Sequence, residues 1–157
     1  MDQFLDSSAL VKRHVSETGS DWVRRRCATA QARSLHVARV VVAEVTSALC
    51  RRCREGSLTA AERDALITGF AECCEREYKV WETTRAVVTR ATVLLKMHPL
   101  RAYDAVQLAT ALRVSEGFVR AGLPPLTFVS ADERLCECAR AEGLSTENPN
   151  NYPSHND

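Results

Sequence analysis

Residues 126–142 read LTFVSADERLCECARAE. LTFVS is a short, continuous apolar run, the pattern of a strand buried on both faces. ADERLCECARAE predicts a helix that Gly143 ends. Asp132 stands between the two. The N-terminus repeats that order. MDQFLD is a short apolar strand ending at Asp6, and a helix through ALVKRHV follows, with Ser7 or Ser8 as its expected cap. In open parallel sheets, sites form beyond the carboxyl ends of the strands, which is where this order places Asp6 and Asp132.

The rest of the chain alternates in the same way. DWVRRRCATAQA predicts a helix after the break at Gly19-Ser20, and SLHVA a short strand. VVVAEVTSALCRRCRE predicts a helix with Gly56 as its stop. Thr59-Ala60-Ala61-Glu62 is a capping box opening the next helix. YKVWET alternates like a strand or extended connector, TTRAVVTRATVLLKM predicts a helix ended by His98-Pro99, and AYDAVQLATALRVSE a further helix. Gly117, Gly122, Pro124 and Pro125 are read as a loop, LSTEN as an edge strand, and the polar, Pro-bearing NPNNYPSHND as a frayed tail. Strands alternating with helices predict an α/β domain with a parallel sheet covered on both faces.

Two more acids lie in apolar settings. Glu44 in VVVAEVTSAL shares a helix face with Val40, Val41, Ser47 and Ala48, the stripe expected to face the core. Asp104 in LRAYDAVQLATAL lies in the first turn of its helix, where the dipole favours an anion. A carboxylate beside a core is costly to desolvate unless something positive compensates it. Each of these acids alone has an ordinary reading, as an N-cap, a helix-start residue or a side chain reaching water from the margin of a stripe. Four of them at the ends of separate elements point to one site for a hard metal ion such as Mg²⁺. Ser7, Ser8 and Ser130 supply hydroxyls beside them.

At 157 residues with 45% hydrophobic and 26% charged side chains, one globular domain is expected. No segment is long and apolar enough to span a membrane. The opening MDQFLDSSAL lacks the basic region of a signal peptide. With seven cysteines, an odd number, reduced thiols and a cytoplasmic location are expected. Cys50 and Cys53 form a CxxC, but no second pair or histidine stands at finger spacing, so zinc is not favoured. The net charge is +1, yet residues 1–54 hold ten Lys/Arg against five acids. That basic third includes Lys12 and Arg13, which with Arg101 are candidates to meet phosphate, although solvated helix faces explain such residues equally well. No nucleophile elbow, Cys-His pair or phosphate-cradling glycine loop is present.

These motifs resemble the PIN-domain ribonucleases, specifically the VapC-like toxins of type II toxin–antitoxin pairs. FLDSSALVKRHVSETGS is similar to the family's opening, VVVAEVTSALCRR to its second motif, LRAYDAVQLATAL to its third and FVSADERL to its fourth. GLSTENP fits its last strand. The resemblance implies a three-layer α/β/α fold with a central, mainly parallel sheet over residues 1–147, followed by a polar tail at 148–157. It implies that Asp6, Glu44, Asp104 and Asp132 bind Mg²⁺ or Mn²⁺ and carry the hydrolysis of RNA phosphodiesters, with Ser7 and Ser130 in support. It also implies a homodimer and a small cognate antitoxin. A PIN-like module that binds RNA or a partner without turnover is the alternative. A phosphorylatable receiver-type domain is disfavoured, because Asp6 is followed by Ser7-Ser8 and LTFVSADERL has no Lys.

Overall fold

A computed structural model describes residues 2–30 and 34–153. In chain order the elements are β1 (Gln3–Leu5), α1 (Ser7–His14), α2 (Ser20–Thr29), β2 (Leu35–Ala38), α3 (Val41–Arg54), α4 (Ala60–Arg76), β3 (Tyr78–Trp81), α5 (Arg85–Met97), α6 (Ala102–Arg120), β4 (Thr127–Val129), α7 (Glu133–Ala141) and β5 (Ser145–Glu147). The strands form one sheet in the order β3-β2-β1-β4-β5, and every pairing is parallel. The expected α/β architecture is the one observed.

Successive side chains of a strand point to opposite faces, so these short apolar runs feed two cores at once. Phe4, Ala38 and Phe128 face a core built from α5, α6 and α7, and the rings of Phe4 and Phe128 stack at 5.9 Å. Leu5, Leu35, Val37 and Val129 face the other, built from α1, α2, α3 and α4. The result is a three-layer α/β/α sandwich. β1 lies at the centre, with β2 on one side and β4 on the other. The strand order reverses there, and such switch points open a crevice at the carboxyl ends.

Four local expectations are corrected. Neither Ser7 nor Ser8 caps α1; the cap is Asp6, whose carboxylate accepts from the Ala9 N–H at 3.0 Å. Gly117 is not in a loop: α6 runs on to Arg120, and the chain turns at Gly122 with φ 74°. In α3 the buried stripe is Val41, Val45 and Leu49, so Glu44 lies beside the stripe rather than in it. The expected frayed tail packs down over residues 148–152. Asn148 and Pro149 are buried, 149–151 make a 3-10 turn, and Tyr152 stacks on Trp22 at 4.9 Å. Residues 154–157 of that segment lie outside the described residues. The capping box at Thr59 and Glu62 forms as read.

Candidate metal centre

Asp6, Glu44, Asp104 and Asp132 line one open cavity of about 710 Å³. Each reaches it by a different route. Asp6 follows β1 and Asp132 follows β4, so neighbouring strands deliver them to the switch point. Glu44 comes from the first turn of α3, and Asp104 from the first turn of α6. Ser7, Ser8, Ser47, Arg51, Arg52, Arg101 and Tyr103 also line the cavity.

Asp6 is the anchor. It is 3% exposed and accepts three hydrogen bonds, from Ser8 Oγ at 2.8 Å, the Ala9 N–H at 3.0 Å and Ser130 Oγ at 3.0 Å. Ser8 Oγ in turn accepts from the Ala131 N–H at 2.8 Å, and Ser130 Oγ from the Asp132 N–H at 3.1 Å. Those bonds lock the β4–α7 turn onto the start of α1. Asp132 itself caps α7, accepting from the Leu135 N–H at 3.2 Å. A cap takes one of a carboxylate's two oxygens, so the cap role of Asp6 and Asp132 does not exclude a role in the cavity.

Charge is the unresolved quantity in this cluster. Burial pushes the Asp6 carboxyl up to about 7, against its three hydrogen bonds and with a further push from Glu44. Burial and the charge of Asp104 raise Glu44, and burial and the charge of Asp132 raise Asp104. The four acids thus form a chain of mutually repelling neighbours. Arg101 and Arg134 offset Asp104 only in part. Repulsion of this kind is relieved by a cation. The donors are all hard oxygens, which suits a hard divalent ion. Among the described residues no three His, Cys, Asp or Glu side chains close on one point as a finished ligand cage. The carboxylates instead surround a roomy cavity, the arrangement for an ion that keeps part of its water and is met partly through that water.

Ser7 hydrogen-bonds Glu44, and Ser130 holds Asp6, so both hydroxyls lie where the sequence placed them. Arg101 lines the cavity. Lys12 and Arg13 are corrected. Lys12 is 5% exposed and is spent on Glu17 at 3.0 Å and on the Thr18 carbonyl at 2.8 Å. Arg13 donates to Glu77 and to the Tyr78 hydroxyl, away from the cavity. Both follow from helix geometry: α1 turns Ser7, Ser8 and Val11 to the cavity, and Lys12 and Arg13 lie on its other faces.

Sequence reasoning missed three residues. Gln107 is fully buried and donates from Nε2 to Glu44 Oε2 at 2.6 Å, which fixes that carboxylate. A Gln inside the apolar stripe of AYDAVQLATAL was the available signal. Arg51 follows Glu44 by seven positions, two helical turns along the same face. Tyr103 is adjacent to Asp104.

The model of the PIN domain family matches residues 4–141. Ribonuclease VapC45 of Mycobacterium tuberculosis is 34% identical over 150 residues, covering 89% of this chain and 90% of that protein. Among solved structures, VapC20 of Mycobacterium tuberculosis, described as a Sarcin-Ricin loop cleaving toxin, superposes with a TM-score of 0.64 at 16% identity, over 91% of this chain and 96% of that one. A toxin–antitoxin complex from Klebsiella pneumoniae gives 0.57 at 14% identity, over 94% and 98%. At those two identities the likeness is one of fold.

Proposed function

The chain belongs to the PIN-domain family, and from that premise we propose that it is a divalent-metal-dependent endoribonuclease of the VapC kind, the toxin of a toxin–antitoxin pair. The observation that carries this reading is the cavity into which four separate segments deliver Asp6, Glu44, Asp104 and Asp132. Asp6 and Asp132 also cap α1 and α7, but capping does not account for Glu44 and Asp104 lining the same void.

In this reading the four acids hold Mg²⁺ or Mn²⁺. The bound ion lowers the pKa of water and neutralises charge on the phosphate. Asp6, pinned by Ser8, Ala9 and Ser130, gives the site a fixed origin. Gln107 and Ser7 orient Glu44, so that its carboxylate would meet the ion or a water bound to it. Arg101, beside Asp104, meets the phosphate. The carboxylate-lined cavity faces RNA phosphates only with cations in it, which ties substrate binding to the ion.

VapC45 is named a ribonuclease and the Klebsiella relative of the fold is a toxin–antitoxin complex. By that analogy the chain acts inside the cell on RNA, as a homodimer, and a small antitoxin holds it in check. The test uses purified protein freed of any partner. RNA cleavage is expected with Mg²⁺ or Mn²⁺ and is expected to stop in excess EDTA; undiminished cleavage in EDTA would overturn the mechanism. Co-expression with a small neighbouring reading frame is expected to relieve growth arrest and give a co-purifying complex.

A further inference from the structure

Beyond the acids, the cavity has a second wall of different chemistry. Of the three arginines in the last turn of α3, Arg51 and Arg52 line the cavity, and Arg52 is tied down: it pairs with Glu17, which also holds Lys12. Arg51 is exposed, lines the same cavity and makes no hydrogen bond or ion pair among the described residues. The α3 face running from Glu44 through Ser47 and Ala48 to Arg51 is all cavity wall. Seven residues of helix rise about 10 Å, the length of about three stacked nucleotides.

The other wall carries Tyr103, 57% exposed on the first turn of α6 and adjacent to Asp104. A single exposed apolar residue on a helix is ordinary. This one is an aromatic ring set on the rim of a charged cavity, beside one of its acids and near Arg101, whose charge partly offsets Asp104. A phosphodiester held at a cation among the acids would have its sugar and base on the side of that ring. Base faces stack on aromatic rings only when the base is not already stacked in a duplex.

We propose that Tyr103 and Arg51 form a subsite for an unpaired RNA nucleotide flanking the bond to be cut: Tyr103 carries the base on its ring and Arg51 meets a phosphate further along the strand. The subsite rests on the nuclease reading above and narrows it to single-stranded or looped RNA.

The test uses the full chain freed of partner and a short single-stranded oligoribonucleotide with 2-aminopurine placed at each position in turn. Binding is followed in Ca²⁺ to hold off cleavage, and cleavage in Mg²⁺. The parent is expected to quench the probe at one position. Tyr103→Ala is expected to abolish that quench and raise Kd and KM about 5- to 150-fold, the effect of one stacked base, with kcat little changed. Tyr103→Trp is expected to retain the quench. Arg51→Gln is expected to weaken binding and reduce the salt slope by about one phosphate contact. A fully duplexed probe is expected to bind more weakly and to ignore Tyr103→Ala. Melting curves check that each surface variant is folded. If the parent cleaves and Tyr103→Ala leaves KM and quench untouched, the subsite is wrong and the nuclease reading stands. If the parent quenches through Tyr103 but does not cleave in Mg²⁺, the nuclease reading fails and the subsite stands. A parent that binds no probe overturns both.

Discussion

The Gln107 amide donates to Glu44 at 2.6 Å across the gap between α6 and α3, while its own Oε1 is buried with no partner. The opposite orientation of the amide would set that oxygen against a carboxylate, so Glu44 determines which way Gln107 points, and Gln107 determines where Glu44 sits. Gln107→Leu removes the donor and the unpaired oxygen together. Losing a hydrogen bond to a charged group costs about 1.5–3 kcal/mol, and removing an unsatisfied carbonyl returns about 1–3. Stability by chemical denaturation is therefore expected to change little. Cleavage is expected to fall about 10- to 100-fold, as when an orienting partner of a metal ligand is lost. Full activity in that variant would reduce Gln107 to packing.

Asp104→Asn keeps shape and removes one repelling charge from beside Asp132 and Glu44. Cleavage is expected to disappear, while the metal-free protein melts at or above the parent's temperature. Mg²⁺ is expected to raise the melting temperature of the parent more than that of the variant, because a ligand stabilises only the state that binds it. If Asp104 were only a helix-start residue, the variant would cut RNA and respond fully to Mg²⁺.

Asp6 gives the metal-free protein a defined pH dependence. Burial raises its carboxyl from the ordinary aspartate range to about 7. The folded state therefore holds a proton that the unfolded state releases. Stability is greatest at the acid end of that window and is lost as pH rises from about 4 to about 7, by an amount on the order of 4 kcal/mol. Asp6→Asn, which can still accept at the α1 cap, is expected to flatten the slope. Mg²⁺ is expected to oppose it, since the ion binds the deprotonated carboxylate. Denaturation series at pH 5 and 7.5, with and without Mg²⁺, measure all three.

Gly19 has φ 80°, and a Cβ there would lie 2.2 Å from the Pro149 carbonyl oxygen. Gly19→Ala is expected to lose about 3 kcal/mol from backbone strain and the forced retreat of the C-terminal turn. The melting temperature should drop by about 6–12 °C. Tyr152→Ala, which removes the half-exposed ring that stacks on Trp22 and leaves the core in place, should loosen the same turn without backbone strain and show a smaller drop. Equal drops would remove strain from the explanation.

Much of the fold is legible because it is written in short-range patterns. LTFVS and QFL read as strands since a run buried on both faces has no polar alternation to hide it, and Thr59 with Glu62 is a complete local signal. The four acids stand out because apolar neighbours surround them. Other features depend on rotation and distant contact. Lys12 is removed from the site by a turn that brings Glu17 and the Thr18 carbonyl beneath it. Glu44 is displaced from the buried stripe by one position's rotation of α3. Tyr152 settles on Trp22, 130 positions earlier in the chain, and nothing in NPNNYP announces it.

Asp6 follows the first strand of the domain, yet the hydroxyl that grips its second oxygen belongs to Ser130, 124 positions later. β4, which carries that hydroxyl and Asp132, slots in directly beside β1. A growing chain that has not yet delivered β4 has a bare sheet centre and an incomplete acid set. On the nuclease reading, a nascent chain is therefore inert until β4 and the turn after it have been made and have docked beside β1.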